Sequence, residues 1–312
     1  MANSLPERNR VAILLATYNA GRFLTEQLNS IERQTHRNWE VWASDDGSAD
    51  DTLPLLEKYR SRWGDDRLRI LRGPREGFVA NYFSLLSNDA IRSDYYAFSD
   101  QDDVWLPDKL TRSIAALSRL EAASPAIHGG RTRLIDCRGH VLGQSPLFRR
   151  PPSFRNALVQ NIAGGNTMTF NAAARELLAP YCYLRPVSHD WWSYMVVTGA
   201  GGTLIYDPEP SVLYRQHHAN LTGENRSLVA RTKRLFMILD NRFRRWTDIN
   251  IACLSTLKER LTLQNQAVLD RFCELRMAPM SRRMTSLTSR PVYRQTALGD
   301  LGMAVALICR KL

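Results

Sequence analysis

No apolar run in this chain of 312 residues approaches the roughly 18 needed to cross a bilayer, so a membrane-spanning helix is not expected. Val11 to Ala16, behind Arg8 and Arg10, is too short for a secretory core and lacks a cleavage site, so it reads as a first buried strand. Cysteine is scarce. Cys137, Cys182, Cys253, Cys273 and Cys309 are scattered, odd in number and without metal-type spacing. That argues against a disulfide framework and for a reducing compartment. Glycine-rich phosphate loops are missing as well. No G-x-G-x-x-G follows the first strand and no G-x-x-x-x-G-K-[ST] occurs anywhere, which removes dinucleotide-binding and P-loop chemistry. Internal repeats and low-complexity tracts are absent.

An excess of charge is missing from most of the chain. The net charge is +11, yet from Arg226 to Leu312 seventeen Lys/Arg face six Asp/Glu, leaving residues 1–225 balanced at 25 against 25. A neutral catalytic part argues against a nucleic-acid groove. The basic tail suits anionic lipid, a polyanion or another protein.

What is present is a β-α rhythm. Val11 to Ala16 is continuous and apolar, as a central parallel strand should be. Phe23, Leu24, Gln27, Leu28 and Ile31 then give helical spacing. Strands are expected at Trp39 to Ser44, Leu68 to Leu71 and Tyr95 to Phe98, with helices after Asp51 and from Phe78 to Ala90. Four repeats in about 110 residues describe a doubly wound α/β sheet. Past Ser124 the rhythm breaks. Strands are expected at Ile127 to Ile135, His140 to Leu142, Thr167 to Phe170, Thr203 to Tyr206 and Val212 to Arg215. Helices are expected over Asn156 to Ile162 and from His189. From Glu224 the pattern is helical, with Leu228, Leu235, Ile238 and Leu239 on one face.

Two of the four strand ends carry aspartates: Asp45-Asp46-Gly47-Ser48, and Asp100-Gln101-Asp102-Asp103 before Val104-Trp105. In open α/β sheets ligands bind beyond the carboxyl ends of strands. Crowded carboxylates there suit a hard cation, Mg²⁺ or Mn²⁺. Taken alone, the second cluster reads equally well as a solvated turn capping the helix after Pro107. A diphosphate can be held through a metal on Asp102. Asp46 can accept from the N3–H of a uracil or thymine ring, with Tyr18 stacked on that base.

Tyr18-Asn19, Asp45-Asp46-Gly47-Ser48 with Asp50 and Thr52, Asn81-Tyr82 and Asp100 to Trp105 stand in the order and spacing of family 2 glycosyltransferases, which this chain resembles. Gly165 to Asn171, His189-Asp190-Trp191-Trp192 and Tyr214 to Asn220 look like the rhamnosyltransferase-like branch. The likeness covers about residues 10–223. It implies a GT-A fold, a Rossmann-like, mostly parallel central sheet with helices on both faces. Residues 1–123 would form the nucleotide-sugar half and 124–223 the acceptor half, followed by a basic helical extension over 224–312.

The resemblance also implies roles. Thr17, Tyr18, Asp46, Arg75 and Asp100 would bind the nucleotide-sugar, with Asp45 read as a turn residue. Asp102, then Asp103 and His217, would hold Mg²⁺ or Mn²⁺. Asp190 would be the catalytic base of an inverting transfer. Trp191, Trp192 and Asn166 would meet the acceptor, although either tryptophan reads equally well as core. His189 and His218 read as structural. This chain departs from related sequences at Arg75-Glu76-Gly77, where Asn-x-Gly is common, and at Asn166, a place often small or Cys.

The implied reaction moves a sugar, with dTDP-L-rhamnose the leading donor, onto a hydroxyl of a cell-surface glycan or lipid-linked precursor. The alternatives are a UDP-hexose donor or a non-catalytic nucleotide-sugar-binding assembly protein. The setting implied is cytoplasmic, peripheral on the inner membrane, with no nucleic-acid partner. Leu298 to Leu312 reads either as an amphipathic helix lying on that membrane or as an ordinary packed terminal helix.

Overall fold

The computed structural model describes residues 9–216, 241–285 and 291–312. His217, His218 and the row Leu228, Leu235, Ile238 and Leu239 lie outside the described residues. The first half alternates β1 (Val11–Thr17), α1 (Leu24–Glu32), β2 (Trp39–Asp45), α2 (Thr52–Trp63), β3 (Leu68–Arg72), α3 (Phe78–Leu86) and β4 (Tyr95–Ser99). Then come β5 (Val104–Trp105), α4 (Lys109–Leu117), β6 (Ala126–Ile135), β7 (Val141–Gln144), α5 (Phe154–Ala157), β8 (Thr169–Asn171), α6 (Ala172–Leu178), α7 (His189–Gly199) and β9 (Thr203–Arg215). Four further described helices follow: α8 (Arg242–Thr256), α9 (Leu263–Met277), α10 (Met280–Thr285) and α11 (Ala297–Ile308).

The strands form one sheet in the order β3-β2-β1-β4-β8-β6-β9-β5, with β7 added on β6. β3, β2, β1 and β4 run parallel, while β8 lies antiparallel between β4 and β6. Continuous apolar strands are what a sheet covered on both faces requires. In β1, Val11, Ile13 and Leu15 enter one core while Ala12 and Leu14 enter the other. In β2, Val41 and Ala43 face one way and Trp42 the other.

The two short strands expected near the end of this region are one strand, β9. Its register against β6 slips between Gly130 and Thr132, opposite a segment containing Pro208 and Pro210. Prolines have no N–H to give a ladder, and an irregularity there lets the strand continue through them. The helix expected over Asn156 to Ile162 closes after one turn, at Ala157, and the chain beyond it carries Asn161 toward α7.

The C-terminal helices share the larger core. Leu254, Leu269, Phe272, Met303, Ala306, Leu307 and Leu312 are buried in one cluster with Trp191 and Phe98. The last stretch packs one face of α11 into this core. Arg283, 2% exposed, ties it down by donating to the carbonyls of Leu307 and Ile308. On the outer face of α11, Leu298, Leu301 and Val305 remain exposed. Among the described residues no helix is long and apolar enough to cross a membrane.

Lys109, the first residue of α4, is fully buried with its ammonium 4.0 Å from the Trp105 ring centroid. Burial pushes its pKa down to about 7. The unfolded chain therefore binds the extra proton between pH 7 and about 10, and stability climbs across that window. Lys109→Met is expected to stabilise the protein at pH 7, by about 1–4 kcal/mol, and to abolish the climb. Chemical denaturation at pH 7 and pH 9.5 reads both effects.

Candidate active site

The parallel strands deliver their ends to a common edge. β1 lies between β2 and β4, with Thr17 opposite Asp45 and Leu15 opposite Ser99. Asp46 and the Asp100 to Asp103 segment therefore leave the sheet on either side of the loop after β1. Gln101 joins that loop to the acidic one, accepting from Tyr18 N at 2.7 Å and donating to Tyr18 O at 3.1 Å. The Tyr18 ring, 57% exposed, is left open for stacking.

Asp45 is the turn residue it was expected to be in geometry. It accepts from the N–H groups of Gly47 and Ser48 and from the hydroxyls of Ser48 and Thr17. Thr17, 1% exposed, gives its hydroxyl to that bond and so shapes the turn, leaving its backbone as the part that can meet a nucleotide. Asp46 accepts from Arg75 N at 2.6 Å and Gly77 N at 2.9 Å. A carboxylate has about four acceptor positions, so one more N–H can be taken. The exposed Arg75 side chain lies over Gly47, where φ is +97° and a Cβ would stand 3.0 Å from Arg75 Nε. A side chain at that φ is strained, so the turn favours glycine.

The second acidic turn splits by direction. Asp103 is 0% exposed and accepts from Asn166 Nδ2 at 2.5 Å and from Arg215 N at 3.1 Å. Burial, then the charges of Asp102 and Asp100, hold its carboxyl well above the usual range. Facing inward with both oxygens engaged, Asp103 is poorly placed as a metal ligand, and Asn166, 4% exposed, is its partner rather than an acceptor contact. Both expectations are corrected. Asp100 lies beside the Tyr82 hydroxyl, 2.6 Å from its Oδ1. Burial raises the Asp100 carboxyl to about 7, helped by the charge of Asp102 and opposed by the Tyr82 bond, with Asp190 adding a further rise. Asp102 and Asp190 are thus each near enough to Asp100 for their charges to act on it.

Asp190 lies in the first turn of α7 and is held from two sides. Its Oδ2 accepts from Asn161 Nδ2 at 2.9 Å and Gly165 N at 3.1 Å, and its Oδ1 from Trp191 N at 2.7 Å. His189 stacks on Tyr82, ring centroids 3.8 Å apart, and burial lowers its pKa to about 4, so it stays neutral. A Cβ on Gly165 would stand 2.4 Å from His189 Nε2, so no other residue fits between them. Trp191 and Trp192 are 6% and 1% exposed, and Trp191 Nε1 donates to Ala157 O. Neither ring offers a face to a sugar, which corrects the acceptor expectation: they are core.

Arg215 was not anticipated. It is 1% exposed and donates to Asp102 O, Asp136 O and Glu26, with its guanidinium 4.4 Å above Phe23. One buried fork therefore fixes the backbone of the acidic turn. Asn161 and Gln101 were missed too. The first lies 29 positions from the carboxylate it orients and belongs to no recognisable spacing.

Among the described residues no three His, Cys, Asp or Glu side chains cluster as ligands for a metal ion. Of the described residues, Asp102 with Asp100 beside it would supply one or two carboxylates. That donor set fits a Mg²⁺ or Mn²⁺ whose shell is completed by phosphate oxygens and water. The crowding that keeps Asp100 protonated toward neutrality fits added positive charge.

The profile described as "Glycosyl transferase family 2" matches residues 12–178. The dTDP-rhamnosyl transferase RfbG of Shigella flexneri is 28% identical over 243 residues, 74% of this chain and 81% of that protein. The beta-1,3-glucosyltransferase WfgD of Escherichia coli, whose name gives UDP-Glc as donor, is 30% identical over 111 residues, 34% of this chain and 40% of its own. Among solved structures, S. aureus TarS 1–349 in complex with UDP-GlcNAc superposes with a TM-score of 0.56 at 14% identity, covering 97% of this chain and 89% of TarS. The mannosyltransferase PcManGT of Pyrobaculum calidifontis, with GDP-Man and Mn²⁺, gives 0.51 at 15% identity over 98% and 88%. The fold is of the GT-A type, and the chain belongs to glycosyltransferase family 2.

Proposed function

We propose that this chain is an inverting, metal-dependent rhamnosyltransferase that moves L-rhamnose from dTDP-L-rhamnose to a hydroxyl of a cell-envelope glycan or lipid-linked precursor. The reading is supported chiefly by Asp100, which feels the charges of both Asp102 and Asp190, at the sheet edge that also carries Asp46 and an open Tyr18 ring. Tyr18 stacks on thymine and Asp46 accepts its N3–H. Arg75 is placed to meet phosphate, and Asp102, with Asp100 beside it, would hold the cation. That ion supplies charge stabilisation to the departing nucleoside diphosphate. Asp190 takes the acceptor proton as the oxygen attacks the anomeric carbon and the bond to phosphate breaks. Asn161 and Gly165 N fix the direction in which its oxygens point.

The donor is favoured by likeness to RfbG. Thermal unfolding with Mn²⁺ and a panel of dTDP-, UDP- and GDP-sugars tests it, because a ligand of the native state raises stability by mass action. The largest rise is expected with dTDP-L-rhamnose. A larger rise with a UDP-hexose would move the assignment to that donor.

Peripheral attachment at the cytoplasmic membrane face belongs to the same proposal. It is supported by the basic excess after Arg226 and the exposed Leu298, Leu301 and Val305. Because α11 also fills the core, deleting it would damage the fold. Leu298→Glu with Leu301→Glu is the cleaner variant and is expected to lower binding to phosphatidylglycerol vesicles about tenfold. Unchanged vesicle partition would remove the attachment.

A further inference from the structure

An open cleft of about 440 Å³ lies beside the site, between α3 and the turn that leads from α6 into α7. Ala80, Phe83 and Ser84 line it from α3, Glu76 from the loop before that helix, and Tyr183 and Arg185 from the turn. Its size falls within the range of small-molecule sites.

Both walls continue into the machinery already described. Glu76 stands between Arg75 and Gly77, whose N–H groups hold Asp46. From Arg185 the chain runs through Ser188 directly to Asp190. Phe78, 40% exposed, bridges the two, edge-on to His189 at 6.1 Å. Tyr183 is 64% exposed, a large aromatic face kept at the surface of the cleft. Across the mouth, Arg185 Nη2 donates to Glu76 Oε2 at 2.6 Å, with both side chains more than half open to solvent. An ion pair so exposed costs little to open. Once open, it presents a fork of donors and a carboxylate acceptor.

We infer that this cleft seats the saccharide units of the acceptor next to the one that reacts, with Tyr183 stacked on a sugar ring and Glu76 and Arg185 bonding its hydroxyls. The inference rests on the transferase reading above and adds the place and chemistry of the acceptor's body. One carboxylate against one guanidinium leaves the lining neutral, which suits an uncharged glycan and not a polyphosphate or anionic headgroup. Aromatic faces with paired hydrogen-bonding groups match the alternating apolar and hydroxylated faces of a pyranose.

The full chain, applied to a printed array of bacterial-envelope oligosaccharides, tests it. Wild type is expected to retain a subset of them, and Tyr183→Ala and Arg185→Ala each to weaken that retention about tenfold. Protection of both variants by dTDP with Mn²⁺ against thermal unfolding should match wild type, which also reports that they are folded. Equal retention by wild type and both variants overturns the proposal, as does a wild type that retains nothing. Saccharide retention without nucleotide protection in the wild type would strike the transferase reading and leave the cleft standing.

Discussion

Asp190→Asn is expected to bind donor with unchanged affinity and to transfer sugar about 10²–10⁴-fold more slowly, the range supplied by a positioned general base. The amide keeps the size of the side chain and can still meet Trp191 N through its oxygen. It cannot accept a proton at neutral pH. With that oxygen on Trp191 N, the amide nitrogen takes the place of Oδ2 and the bonds from Asn161 and Gly165 N are lost. Single-turnover transfer separates this from a binding defect, while nucleotide protection should not move. Appreciable transfer by the variant would remove Asp190 from the role.

The second large effect concerns Arg215. Its guanidinium supports the carbonyls of Asp102 and Asp136 from a fully buried position, and its bond to Glu26 ends on a half-exposed carboxylate. The Glu26 pair is screened and counts for little. Asp136 O also accepts from Gly139 N, so Asp102 O is the acceptor the clamp mainly serves, and leaving such a group unpaired costs about 1–3 kcal/mol. Arg215→Met should therefore destabilise the fold by about 1–3 kcal/mol and loosen the acidic turn. Metal-dependent nucleotide binding is expected to fall at least tenfold even at temperatures where the variant stays folded. Arg215→Lys should not restore it, since an ammonium cannot reach several carbonyls in one plane. Full nucleotide affinity in a folded Arg215→Met protein would contradict the clamp.

The parallel half of the fold was legible because burial on both faces writes itself as unbroken apolar runs. Trp39 to Ser44 and Tyr95 to Phe98 run up to the two acidic turns, and those acids emerge at one sheet edge, on either side of β1. The division of labour within the acidic turn was not legible. Asp102 and Asp103 are neighbours of the same chemistry, and only the approach of Asn166 and Arg215 N turns the second inward. Trp191 and Trp192 posed a related ambiguity. A tryptophan at a helix start suits sugar stacking as well as core, and what buried them was the packing of segments distant in sequence, Trp246 among them. Asn161 had no signal at all, since its partner is set by tertiary approach and not by spacing. The prolines of β9 read as a break, yet the sheet absorbed them in an irregularity of register.

One nucleotide-sugar is expected to span the β2 and β4 ends and to point its anomeric carbon at α7. A crystal structure with dTDP and Mn²⁺ tests it most directly. Thymine is expected against Tyr18 with its N3–H on Asp46, the ion on Asp102, and the terminal phosphate opening toward Asp190. A nucleotide bound elsewhere, or one whose phosphates lead away from Asp190, would contradict it.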